Sequence, residues 1–104
     1  MARDPLILAQ VKAILEEITQ IAPGKSVELR VPPYAAVQCV AGPKHTRGTP
    51  PNVVEMSADT LFALIDGSQS WAQGIYNGEI SASGERSDLS DLFAKAAATI
   101  RIAE

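Results

Sequence analysis

The first half of the chain has the apolar periodicity of one helix followed by two strands. A helix is predicted from Asp4 and Pro5, which form an N-cap pair, to Ala22, because apolar residues recur through it at helical spacing. Residues 26–31 alternate between polar and apolar side chains, which predicts a strand with one face in water. Residues 34–41 are apolar on both faces except at Gln38. This pattern predicts a central strand that is covered on both sides.

Residues 53–85 change pattern quickly, from strand to helix, to a second helix and back to strand. Ser57 is the predicted N-cap of the first helix, which ends at Gly67. Ser70 is the predicted N-cap of the second, which ends at Gly78. The residues that share the apolar face of this second helix are Trp71, Ala72, Ile75 and Tyr76. Isolated helices below about 12 to 15 residues are marginal in water, so both helices must lie on the sheet.

A polar segment and a final helix complete the pattern. Residues 42–52 contain two glycines, three prolines and no apolar anchor, which predicts a surface loop. Ser87 or Asp88 is the predicted cap of the last helix. The apolar stripe of that helix consists of Leu89, Leu92, Phe93, Ala96, Ile100 and Ala103.

The composition predicts one globular domain over residues 1–104. The chain has 46% hydrophobic and 20% charged residues and a net charge of −3. Its length suits a single domain, and its composition is that of folded rather than disordered proteins. A nucleic-acid binder would carry a basic face, so we expect no nucleic-acid partner.

Several features of the chain predict a cytoplasmic location. No run of about 18 apolar residues occurs, so we expect neither a transmembrane helix nor stable membrane insertion. Asp4, Lys12 and Glu16 interrupt any apolar core near the start, so we expect no signal peptide. Cys39 is the only cysteine and cannot form an internal disulfide, which agrees with a reducing compartment.

The sequence offers few groups for catalysis. Cys39 and the only histidine, His45, lie six positions apart, and a thiolate dyad would need them within hydrogen-bonding distance. The alternative is a buried core thiol beside a solvated loop imidazole. Too few ligands are present for a zinc site, and no glycine-rich phosphate motif occurs. We expect a protein that is not an enzyme and needs no cofactor, with a Cys39–His45 enzyme as a rival hypothesis.

Lys44, His45 and Arg47 form the one local concentration of positive charge. One interpretation is a solvated turn. The other is an anion clamp, in which Arg47 forks onto the carboxylate or phosphate of a head group and Lys44 adds a point charge. The residues alone leave both interpretations open.

The segment DTLFALIDGSQSWAQGIYNGEISASGE, residues 59–85, resembles the sterol carrier protein family, which has the nonspecific lipid-transfer fold. The resemblance lies in a helix that ends in glycine, a short helix with an aromatic residue, and a last strand. In that strand, Gly78 and Gly84 flank a charged, an apolar, a polar, a small and a polar residue. Within the family, the chain resembles a small bacterial branch. This resemblance implies an α+β fold in which helices cover a mostly antiparallel sheet of four to five strands.

The resemblance also implies noncatalytic binding or transfer of an apolar lipid, either fatty acyl or sterol-like, in a pocket between helices and sheet. It implies a lipid-binding role for apolar residues whose spacing alone is equally that of a core. These residues are Leu61, Phe62, Ile65, Trp71, Ile75, Tyr76, Leu89, Leu92 and Phe93. A lipid carrier needs a polar mouth, so the resemblance favours the anion clamp as well. The alternative is a module of the same fold that binds a partner protein or forms a homo-oligomer and carries no lipid.

Overall fold

The protein is a layer of helices on one face of a sheet. A computed structural model describes residues 4–42 and 51–103. The elements are, in chain order, α1 (Pro5–Ile21), β1 (Val27–Val31), β2 (Ala35–Cys39), β3 (Asn52–Met56), α2 (Ala58–Asp66), α3 (Trp71–Tyr76), β4 (Ile80–Ser83) and α4 (Ser90–Ala103). The described strands form one sheet in the order β2-β1-β3-β4.

The sheet is mixed. β1 pairs antiparallel with β2 and parallel with β3, and β3 pairs antiparallel with β4. Antiparallel pairing therefore predominates, and the predicted α+β fold is confirmed.

Side-chain oxygens at the helix starts accept hydrogen bonds from otherwise unpaired backbone N–H groups. The carboxylate of Asp4 accepts the N–H of Leu6 at 2.8 Å, at the start of α1. The hydroxyl of Ser57 accepts an N–H from the first turn of α2 at 3.1 Å. Asp88 accepts the N–H of Ser90 at 3.0 Å, and α4 begins at Ser90. These starts agree with the caps predicted from the sequence to within a residue or two, the usual spread in assigning helix ends.

The core lies between the sheet and helices α1, α2 and α4. Alternate residues of β1 and β3 point into it, and Leu29 stands opposite Val54 where these strands pair. Helix α4 contacts both α1 and α2, so the helix layer is continuous. The largest fully buried apolar side chains are those of Leu15, Ile18, Leu29, Leu61, Val11, Val27, Val31 and Val54.

Strand β2 departs from the sequence prediction. It lies at one edge of the sheet of described strands, and both Ala36 and Gln38 are exposed. The prediction of a central strand covered on both sides is therefore wrong. An alanine side chain carries little apolar area, and at about 25 cal/mol per Å² its exposure costs little. Residues 34–41 therefore carry too little apolar side-chain area to require helices on the second face of the sheet.

Asn52 is a buried polar residue at the start of β3, with 3% of its surface exposed. Its Nδ2 donates to the carbonyl oxygen of Ser26 at 2.7 Å, next to β1. Its Oδ1 accepts the backbone N–H of Arg86 at 2.9 Å, in the turn before α4. Gly84 lets this turn come close, because a Cβ there would lie within 2.7 Å of the Pro51 carbonyl oxygen. One side chain thus joins β1, β3 and the approach to α4.

We predict that Asn52→Ala lowers the free energy of unfolding by about 2 to 4 kcal/mol, because the buried carbonyl of Ser26 and the part-buried N–H of Arg86 both lose their partner. Urea denaturation measures the loss. Asn77→Ala is the matched control, since the Asn77 side chain also accepts a backbone N–H, from Glu79, but is exposed. The control should cost about 1 kcal/mol or less. Equal losses in the two variants would contradict the role given to Asn52.

Candidate functional site

Helix α3 has only six residues and is fixed by its cap and by close contact with the sheet. The hydroxyl of Ser70 accepts the N–H of Gln73 at 3.1 Å, and Gln73 Oε1 accepts the N–H of Ser70 at 2.9 Å. This reciprocal pair is a capping box. Gly74 is the buried residue of the helix, and a Cβ there would lie within 2.7 Å of Ile80 Cγ1. The absence of a side chain at residue 74 therefore brings α3 directly onto β4.

The predicted apolar face of α3 is largely exposed. Ile75 is 43% exposed and Tyr76 is 92% exposed, and Ala72 is exposed as well. Trp71 is half-buried and contacts Phe93 of α4, with ring centroids 5.7 Å apart and the rings tilted by 31°. The contact between Trp71 and Phe93 joins α3 to α4.

An open groove of about 480 Å³ runs between α3 and α4, and we call it the apolar groove. Its floor is buried, and its sides are small or aromatic. The apolar lining residues are Leu64, Trp71, Ala72, Phe93, Ala94, Ala97 and Ala98. Three polar residues complete the lining, namely Gln69, Ser70 and Ser90. An apolar cleft with a few polar groups is the usual form of a site for a small apolar ligand.

The three polar residues of the apolar groove already make hydrogen bonds within the protein. The Ser70 hydroxyl oxygen accepts from Gln73, so its own hydrogen is still available to donate. Gln69 Nε2 donates to Glu79 at 2.7 Å, so its carbonyl oxygen can still accept. The hydroxyl and backbone N–H of Ser90 donate to Asp88 and lower the pKa of that carboxyl. The groove therefore has two remaining donors, the Ser70 hydroxyl and the second N–H of the Gln69 amide, and the acceptor oxygens of Gln69 and Ser90.

A second groove, of about 560 Å³, lies on the other side of α3 and is more polar. The side chain of Glu79 on its wall accepts from Gln69 and, at 3.4 Å, from Thr60. The lining residues are Ala63, Ser68, Gln69, Ala72, Gln73, Tyr76, Asn77 and Glu79. Several of these polar side chains are engaged in caps and turns. This groove suits an apolar ligand less well than the first.

The family of the chain follows from comparison with known proteins. A family model described as "Bacterial SCP ortholog" matches residues 3–94. The chain belongs to this sterol-carrier-like family. A solved structure described as "UbiJ-SCP2 Ubiquinone synthesis protein" is similar with a TM-score of 0.55 at 19% sequence identity, over 97% of each chain. That similarity shows a shared fold. No curated protein matches the chain.

The nine predicted lipid-binding residues of the sterol-carrier-like chain occupy three environments. Five are buried in the core, namely Leu61, Ile65, Leu89, Leu92 and Phe93. Phe62 and Trp71 are partly buried against that core, whereas Ile75 and Tyr76 are exposed. Only Trp71 and Phe93 of the nine line the apolar groove. Their role in binding lipid stays a prediction.

The predicted anion clamp of the sterol-carrier-like chain, Lys44, His45 and Arg47, lies outside the described residues. The clamp and the Cys39–His45 pair therefore stay predictions. Cys39 itself is fully buried in β2, and burial raises the pKa of its thiol to about 11. A neutral, inaccessible thiol is a poor nucleophile.

None of the described helices is both long and apolar enough to cross a membrane. The cytoplasmic location stays a prediction.

Sequence reasoning did not assign the alanines of α4 or Gly74 to the site. The exposed residues Ala94 and Ala98 lie one turn apart and line the apolar groove. Small residues add little to a hydrophobic stripe, so periodicity does not single them out. The short run of alanines around Lys95 was the available signal, because small residues permit close approach.

We predict opposite effects of Gly74→Ala in two backgrounds. In the natural sequence the new methyl group overlaps Ile80, and overpacking of about 1 to 3 kcal/mol outweighs the gain in helix propensity of about 1 kcal/mol. In an Ile80→Ala background the overlap is gone, so Gly74→Ala should stabilise the protein by up to about 1 kcal/mol. Urea denaturation of the four proteins gives the coupling energy. Additive effects would show that α3 is not held against Ile80.

We predict that stability falls between pH 9 and pH 11 because of Cys39. The folded protein raises the pKa of this thiol from 9.0 to about 11, so it favours the neutral form. The resulting stabilisation is complete below the unfolded pKa and is lost as the pH rises through the folded pKa. The loss should be about 2 kcal/mol. Urea denaturation against pH, compared with Cys39→Ala, isolates this group from other titrations. Parallel curves for the two proteins would contradict the prediction.

Proposed function

We propose that this sterol-carrier-like chain binds an apolar lipid, fatty acyl or sterol-like, in the apolar groove and carries it without chemical conversion. The observation that supports the proposal most directly is the groove itself, in which half-buried Trp71 lies beside the buried floor residues Leu64 and Phe93. Ligand sites are concave and mainly apolar, with volumes from about 300 Å³. At about 480 Å³ the groove is large enough.

The apolar lining of the groove supports moderate rather than tight binding. Exposed alanines on α4 let a hydrocarbon chain approach the helix closely, and the indole ring of Trp71 supplies a wide apolar surface. Covering roughly 200 Å² of apolar surface contributes about 5 kcal/mol before the cost of ordering the ligand. A carrier must also release its lipid, and moderate affinity serves that purpose.

The absence of reactive groups in the groove supports a noncatalytic role. Its described lining contains no histidine, thiol, carboxylate or amine. Ser70 and Ser90 supply the hydroxyls of this described lining, and neither has a base beside it in the lining that could activate it as a nucleophile. The buried thiol of Cys39 lies in the sheet and has a raised pKa, so it does not supply a nucleophile.

The first test is thermal melting with and without lipid. A ligand at ten times its dissociation constant should add about 1.4 kcal/mol of stability, which raises the melting temperature by about 5 °C or more for a domain of this size. A panel of a sterol, a fatty alcohol and a fatty acid covers the proposed classes. Organic extraction of the purified protein followed by mass spectrometry identifies any lipid that copurifies.

A filled-groove variant locates the binding. Ala98→Leu places a larger side chain in the groove and should reduce the lipid-dependent rise in melting temperature. Ala13→Leu is its matched control, because Ala13 is also an exposed helical alanine but lies on α1 away from the groove. The control should keep the full rise. Lipid binding that is the same in both variants would place the ligand elsewhere.

The exposed side chains of Ile75 and Tyr76 favour a second candidate function, the interaction module. Aromatic and large aliphatic residues at a surface are enriched in protein interfaces. Under this hypothesis native mass spectrometry would show a tight oligomer or a bound partner and no lipid adduct. An unchanged melting curve with every lipid of the panel would then count against the carrier proposal.

A further inference from the structure

The apolar groove has no charged side chain in its described lining. Its polar groups are two hydroxyls and one amide, from Ser70, Ser90 and Gln69. On the α3 side of the groove, residues 53–85 contain five acidic residues and neither lysine nor arginine, and on the α4 side the exposed Lys95 lies outside the lining. A bound anion would therefore find no cation among the described lining residues, whose Gln69 and Ser90 already bind the carboxylates of Glu79 and Asp88.

This arrangement distinguishes between classes of lipid head group. An unpaired charge in a partly dry site is far more costly than an unpaired dipole. A carboxylate or phosphate would lose hydration without gaining an ionic partner. An alcohol or ester oxygen can instead accept from the Ser70 hydroxyl, and an alcohol can also donate to the oxygen of Gln69 or Ser90. Neutral hydrogen bonds are the interactions that this lining can complete.

We infer that the apolar groove selects lipids with an uncharged, hydrogen-bonding head group, an alcohol or an ester, over lipids with an anionic or cationic head group. The inference rests on the proposed lipid-binding function and specifies its ligand class. It differs from the anion clamp predicted on Lys44, His45 and Arg47, which would favour the anionic class. The acyl tail would lie along the alanines of α4, with the head group beside Ser70 and Ser90.

The test compares ligands that share one tail. Dodecanol, methyl dodecanoate, dodecanoate and dodecyltrimethylammonium are titrated below their micelle concentrations, at a pH well above the carboxyl pKa of about 4.3. Trp71 is the only tryptophan and lines the groove, so its fluorescence reports binding. Dodecanol and its ester relative should bind with similar affinity. Dodecanoate and the ammonium ligand should bind at least about tenfold more weakly.

The outcomes separate this inference from the proposed function. Binding of dodecanoate or of the ammonium ligand as tightly as dodecanol would overturn the selectivity and leave the carrier proposal intact. Binding of none of the four ligands, together with unchanged melting across the wider panel, would overturn the carrier proposal and the selectivity with it.

A charge placed in the groove tests the location of the head group. Ala94 lies one helical turn after Ser90 and lines the groove. Ala94→Lys should raise the affinity for dodecanoate relative to dodecanol by up to about fivefold. Ala94→Gln is the control, because it adds a side chain of comparable length without charge and should leave that ratio unchanged. An equal ratio in the two variants would overturn the placement of the head group in this groove.

Discussion

The two hydrogen bonds of the Asn52 side chain connect parts of the chain that the rest of the structure depends on. β1 and β3 are parallel neighbours at the centre of the sheet but are far apart in sequence. Asn52 joins them at the carbonyl of Ser26, which fixes where the two strands begin to pair. Its other bond, to the N–H of Arg86, fixes the turn that leads into α4. The position of α4 then determines one wall of the apolar groove.

The second wall depends on the contact between α3 and β4. A helix of six residues buries little surface, and it stays in place because Gly74 brings its backbone onto Ile80 and because Trp71 contacts Phe93. Such a helix covers the sheet only partly. The gap that remains between α3 and α4 is the groove. The groove is thus a consequence of a short helix on a sheet with all its helices on one face.

The sequence predicted the helices, their caps and the family with good accuracy, because these features depend on local spacing. Asp4, Ser57 and Ser70 accept hydrogen bonds where an N-cap should. The sequence-based prediction was wrong where burial depends on which elements pack against a strand. The run 34–41 is apolar enough for a central strand, yet β2 lies at an edge and exposes Ala36. Whether an apolar side chain is covered depends on which element packs over it, and periodicity carries no such information.

In the candidate site, too, periodicity does not show which side chains are covered. Ile75 and Tyr76 fit the apolar stripe of α3 but are exposed, because the buried side of so short a helix is set by Gly74. The alanines of α4 line the groove although they contribute little to any hydrophobic stripe. A groove is a space between elements, and the residues that matter are those too small to fill it. Their role follows only from the packing of α3 against α4.

A limit on stability favours an open groove over a closed internal cavity in a domain of this size. A dry internal cavity of about 300 Å³ would cost about 7 kcal/mol, against a net stability of about 5 to 15 kcal/mol for a typical protein. In this chain five of the nine residues predicted to bind lipid are buried in the core, where they contribute to folding. A groove open to water avoids the cost of an empty interior, since water occupies it when lipid does not. The cost of this arrangement falls on affinity, because an open groove covers only part of a ligand. Under the proposed function, discrimination would then come from the neutral hydrogen-bonding groups at Ser70 and Ser90 rather than from complete enclosure.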